Sequence, residues 1–199
     1  KTHGDANANL AESYRQTEDY PKANAQYGVA AEYVKDDPEL YSSWGYCLGK
    51  ENKWDKASER LDTAADMRGD ATDYSNVGWA RNRAAEEDLK AGRQADAAVK
   101  LGKGRDASKK ATELNPNLAS AYVNLGTALN GLNDYENASG ALRRAVQLRD
   151  RCRTRDVSTQ LVKPGSHGGT GLRLGAGAGP LGETLRSRCG GSRSVRSLD

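Results

Sequence analysis

The sequence predicts an all-α fold in which about four helix pairs stack in chain order, and three observations predict it. Small residues recur at Ala11, Gly45, Gly78 and Gly126, at intervals of 34, 33 and 48 residues. A second set, Ala30, Ala64, Ala111 and Ala145, recurs at intervals of 34, 47 and 34. Turn-forming and capping residues then fall between the segments so marked, among them Thr17-Glu18-Asp19, Pro38, Asn115-Pro116-Asn117 and Asn133-Asp134. Two markers that keep one period are the signature of stacked supersecondary units, and the long interval is one period plus an insertion of about 14 residues.

Each unit can be justified in turn. The first has Leu10-Ala11, Tyr14, Asp19-Tyr20, Ala23, Tyr27 and Ala30. The second has Tyr41, Trp44-Gly45, Leu48, Trp54, Ala57, Leu61 and Ala64, with Pro38 ahead of it. The third keeps Tyr74 and Val77-Gly78, but Arg81 replaces the next large residue and the insertion blurs the pattern until Ala111 and Pro116. The fourth is the fullest: Tyr122, Leu125-Gly126, Leu129, Asp134-Tyr135, Ala138, Leu142 and Ala145. Small residues let two antiparallel helices approach, and large ones fill the space between them. A single unit leaves an apolar face open, which stacking covers.

In this order of residues the chain resembles the tetratricopeptide repeat family. The resemblance covers residues 5–148, in units of about 5–37, 38–70, 71–116 and 117–148, and implies a right-handed α-α superhelix. The insertion, rich in Ala, Glu, Lys and Arg, is expected to lengthen the third helix pair, with a turn near Gly92 and a possible role as an extra rim for a partner. In this family the first helix of each unit lines a concave groove that takes peptides or proteins. Matching positions put Glu12, Arg15 and Gln16 there in the first unit, and Tyr46 and Lys50 in the second. They put Trp79, Asn82 and Arg83 there in the third, and Val123, Thr127 and Asn130 in the fourth. Tyr46, Trp79 and Arg83 are the residue types that dominate binding energy. Arg83 with Lys50 and Arg15 would suit an acidic peptide, while Trp79 could instead pack against the unit before it. Some relatives clamp a C-terminal carboxylate with Lys and Asn on successive first helices. Here Ala8 and Glu12 stand where the first such pair would be, which argues against that clamp, and Asn76 and Asn124 read equally well as structural.

Composition divides the chain. Residues 149–199 hold ten of the 30 Lys and Arg but only four of the 27 acids, so 20 basic residues face 23 acidic ones before that point. The tail also holds ten of the 22 Gly, and no Trp or Tyr follows Tyr135. Without aromatics it cannot bury enough apolar area to offset chain entropy, and it is expected to be disordered. Its Arg, Gly and Ser content resembles GC-rich coding sequence read in the wrong frame. A nucleic-acid role for it would lack the rings that stack bases. The last repeat has no capping helix after Leu148, so self-association through its open face is expected.

Catalysis is not expected. Cys47, Cys152 and Cys189 form no CxxC pair, and with only His3 and His167 they give no zinc spacing, so neither metal nor cofactor is anticipated. Runs such as Glu86-Glu87-Asp88 read as helix-end and solubilising charge. No apolar run approaches the length of a membrane span. The chain starts at Lys1 instead of Met, as a processed form or a piece of a longer protein would. The expected function is a non-catalytic scaffold for a protein or peptide partner, or else a regulatory or targeting module of a larger enzyme or secretion machine.

Overall fold

A computed structural model describes residues 2–161, with side chains for 3–151. Eight helices and no strands are found among the described residues: α1 Thr2–Gln16, α2 Tyr20–Tyr33, α3 Pro38–Lys50, α4 Trp54–Arg68, α5 Ala71–Lys90, α6 Gln94–Leu114, α7 Ala119–Gly131 and α8 Tyr135–Leu161. Described residues up to Ala145 form one compact unit, and the part of α8 from Val146 on belongs to a second.

Local chemistry sets the helix ends. Asp37 Oδ1 accepts from the amides of Glu39 and Leu40, with Pro38 in the first turn of α3, where a missing amide hydrogen costs little. Asp70 caps α5 by accepting from the Asp73 amide at 2.8 Å. Asp19 accepts from Lys22 at the start of α2. Within each pair the turn carries one residue in the left-handed region: Glu18 (φ 60°), Asn52 (59°), Gly92 (76°) and Asn133 (64°). Four units therefore reverse direction with the same backbone geometry.

Each helix from α1 to α6 packs on the next, α7 meets α8 where Gly126 faces Leu142, and first helices also touch across repeats, α1 on α3 and α5 on α7. The core follows the small-residue pattern. A Cβ on Gly45 would lie 2.6 Å from Leu61 Cγ, and one on Gly126 would lie 2.6 Å from Leu142 Cγ. In the third unit the matching Gly78 faces Ser108, which holds the place of Leu61 and Leu142 and is fully buried. That substitution is why the third unit is hard to read in the sequence: the position keeps its packing role but not its apolar character.

The insertion lengthens the third pair. Helices α5 and α6 run 20 and 21 residues, against 13 and 15 for α3 and α4. The extra length adds about 10 Å at 1.5 Å per residue. Ala84, Ala85, Ala97 and Leu101 fill its seam. Arg81, where a large apolar residue is usual, pairs with Asp62 of α4. Gly92 makes the turn, while Gly102 and Gly104 sit inside α6, and Gly104 gives Asn82 room.

The expected break after Leu148 is not a helix end, because α8 continues through Arg149 to Leu161. The expectations for 162–199, namely disorder, a wrong-frame origin and nucleic-acid contact, lie outside the described residues. No helix of the described residues is long and apolar enough to cross a membrane.

Candidate partner-binding surface

The first helices α1, α3, α5 and α7 carry every residue expected to face a partner, and the structure sorts them into three kinds. Some are consumed by packing. Asn82 is buried and donates from Nδ2 to the Asn124 carbonyl at 2.8 Å. Asn124 Nδ2 in turn donates to the Ser75 carbonyl at 2.8 Å, so both asparagines join α5 to α7. The expectation that Asn82 faces the groove is thus corrected: Gly104 opposite it leaves space for an amide, and the helix joint takes it up. Trp79 meets Trp54 edge to face, with centroids 5.1 Å apart, and a Cβ on Gly49 would stand 2.8 Å from its ring. It packs largely against the preceding unit.

Others are held by a neighbour on their own helix. Arg15 donates to Glu12 from Nε at 2.7 Å and from Nη2 at 2.5 Å, and Gln16 and the Tyr27 hydroxyl also donate to Glu12. The Arg15 hydrogen bonds hold the Glu12 carboxyl below its ordinary pKa, against the opposing effect of burial. Thr127 donates to the Val123 carbonyl at 2.9 Å, and with Val123 and Asn130 it lies exposed on α7.

The third kind are cations lying on rings. Lys50 Nζ lies 5.1 Å from the Tyr46 centroid and 5.9 Å from that of Tyr20, while Arg15 lies 6.0 Å from Tyr46. Arg83 lies 5.5 Å from Trp54 and pairs with Glu86 at 2.6 Å. Tyr20 and Trp54 open the second helices of the first two repeats, so at two successive junctions a cation of one repeat covers a ring of the repeat before. At the next junction the matching positions are Gly131 and Leu101, which pack together. The sequence carried this signal, a cation five residues after Gly45 or Gly78 and an aromatic opening the preceding second helix, but a family pattern of single positions does not pair them.

The elongated hairpin adds a cleft of about 410 Å³ against α4. Lys100 bridges Asp55 and Asp88 at 2.7 Å each, and Arg93 reaches Asp88 at 2.5 Å. These opposite charges hold each other across the cleft and brace the hairpin on α4. Among the described residues no group of His, Cys, Asp and Glu is placed to hold a metal ion. Cys47 is fully buried, and burial pushes its thiol up to about 12, away from nucleophilic use.

Antiparallel helix pairs that cross at small residues and pack in sequence order define a helical-repeat protein. Residues 5–68 match the family described as YpiA-like, C-terminal tetratricopeptide repeats, and residues 119–152 match the tetratricopeptide repeat itself. The two matched segments are tetratricopeptide repeats. Among solved structures it is similar to TTC0263, a thermophilic TPR protein of Thermus thermophilus, at 19% identity and a TM-score of 0.57, over 79% of this chain and 80% of that one. It is also similar to MamA AMB-1, at 17% identity and a TM-score of 0.59, over 80% and 79% of the two chains. Identities this low speak to the fold alone. No curated protein sequence matches the chain. Repeats of this family are typically interaction modules without catalytic activity.

Proposed function

We propose that the chain is a non-catalytic scaffold that binds a protein or peptide along the exposed side of its first helices, with acidic segments favoured. The observation that carries this reading is the row of ring-held cations on α1 and α3 and at the hairpin side of α5. Arginine and aromatic side chains there lose little freedom on contact, because their neighbours already fix them. The exposed Gln16, Thr127 and Asn130 extend the same side with polar groups able to pair with a backbone.

The test is site-specific photo-crosslinking in the full chain. A photoreactive residue is placed at Gln16, Thr127 or Asn130 on first helices, and at Glu59 or Ser139 on second helices, all exposed. Adducts with another protein are expected from the first set and not from the second. Adducts from Glu59 and Ser139 alone would move the binding surface to the opposite side of the stack.

A further inference from the structure

In the second repeat, one stripe of α4 is buried at the junction with the repeat that follows. Trp54 meets Trp79 edge to face, Leu61 joins Val77 and Ala80 of α5 in one core cluster, and Ser58 between them is fully buried. The fourth repeat sets the same residue types at the same positions of α8, namely Tyr135, Ser139 and Leu142. There they lie open. Tyr135 is 63% exposed against 8% for Trp54, Leu142 is 40% exposed against 1% for Leu61, and Ser139 is exposed where Ser58 is not. Tyr27 and Ser108, which match Leu61 in the first and third repeats, are buried as well. Spaced four and then three residues apart, Tyr135, Ser139 and Leu142 form one stripe along α8, the spacing of a helix-pairing seam.

We propose that this stripe is a self-complementary seam, on which α8 of one copy packs antiparallel against α8 of a second copy about a two-fold axis at Ser139. Charge favours a second copy as the cover. Glu136 and Arg143 are exposed on the same flank of the stripe, three residues before Ser139 and four after it. Among the described residues Glu136 enters no ion pair, and the printed hydrogen bonds of Arg143 go to Ser139 of its own helix, which leaves its charge unanswered. An antiparallel pair centred at Ser139 sets Glu136 of each copy against Arg143 of the other, so one surface supplies both halves of two ion pairs. It also brings Tyr135 of each copy beside Leu142 of the other. Room at the axis agrees. Helices of this chain cross where side chains are small, as at Gly45 and Gly126. Ser139 is small, and a Cβ on the adjoining Gly140 would meet nothing within 4 Å. Pairing of this kind closes at two copies, because each surface is its own partner. The seam goes beyond the scaffold reading: it uses a second helix and none of the residues on the first helices.

The test is sedimentation velocity of the full chain across a wide range of concentration, where an equilibrium between monomer and dimer is expected. Ser139→Arg, at an exposed position, abolishes the dimer. Glu136→Arg and Arg143→Glu each weaken it about tenfold or more by setting like charges together. Both substitutions in one chain restore it, and mixing the two single variants gives a heterodimer tighter than either homodimer. Far-UV circular dichroism shows helicity kept throughout, and a folding defect could not be repaired by the second charge change. A monomer at every concentration, a dimer indifferent to Ser139→Arg, or a charge swap that fails to restore pairing overturns the inference. The scaffold reading fails separately. Its crosslinks are to another protein, whereas a Ser139 photoadduct of twice the chain mass is a second copy and supports the seam alone.

Discussion

Gly45 and Leu61 meet so closely that a Cβ on the glycine would stand 2.6 Å from Leu61 Cγ and 3.1 Å from the Ala57 carbonyl oxygen. Leu61 is itself buried, so it has nowhere to retreat. Gly45→Ala therefore sets a gain in helix propensity of about 1 kcal/mol against an overpacking cost of about 1–3 kcal/mol. A net loss is expected in urea unfolding. Gly102 is a control on the same footing, since nothing lies within 4 Å of its Cβ position inside α6. Gly102→Ala should stabilise the chain by up to about 1 kcal/mol.

Glu18 holds φ 60° in a turn where the other repeats place Asn52, Gly92 and Asn133. A left-handed backbone costs a side-chain-bearing residue about 1–2 kcal/mol, and Asn and Gly tolerate it better. Glu18→Asn should raise the melting temperature without changing the helical signal; an unchanged or lower value would remove strain as the explanation.

Asp73 is fully buried and receives two hydrogen bonds from Arg68, both at 2.7 Å. Burial pushes its carboxyl above the usual Asp range, and Arg68 opposes that push. Arg68→Ala should cost about 2 kcal/mol or more, because an unpaired buried charge remains. In that variant the folded state keeps a proton that the unfolded chain releases. Stability therefore falls as pH rises through that interval, and acidification should shrink the deficit relative to the parent chain.

Glu12 titrates with the opposite sign. Its carboxyl lies below the ordinary range in the folded state, first because of Arg15. The stability it contributes is fully present above the unfolded pKa and disappears as pH falls through the folded one. Glu12→Gln should thus differ from the parent most at neutral pH and converge with it in acid, read by melting temperature across pH.

Cys47, fully buried and with its thiol raised to about 12, should resist alkylation in the native state. In a chain with Cys152→Ser and Cys189→Ser, iodoacetamide labelling should require global opening and speed up with urea in step with unfolding. Rapid labelling in buffer would show that the α2–α3 core opens locally.

Much of the fold could be read from spacing, because stacked repeats impose the same contact again and again. Gly45 and Gly126 each face a leucine, and a periodic pair of that kind survives in a single sequence. Ser108 breaks the pattern: close packing against Gly78 selects for size, and hydropathy cannot see that. The candidate surface was harder to read. Position along a first helix marks Asn82 and Trp79 as groove residues, yet whether such a side chain meets solvent depends on what the next helix offers. Gly104 makes room for Asn82, and Gly49 makes room for Trp79. The pairing of Lys50 with Tyr20 and of Arg83 with Trp54 lies between repeats, at separations that no pattern within one repeat contains.

The elongated α5–α6 hairpin has a dynamic consequence. Its inner turns are braced on both sides, by Lys100 on Asp55 and by Leu101 on Gly131. The outer turns, around Glu87 and Gln94, have chiefly each other to lean on. Amide hydrogens there should exchange with deuterium well before those of the four crossings, so the hairpin tip can breathe while the stack beneath it stays shut.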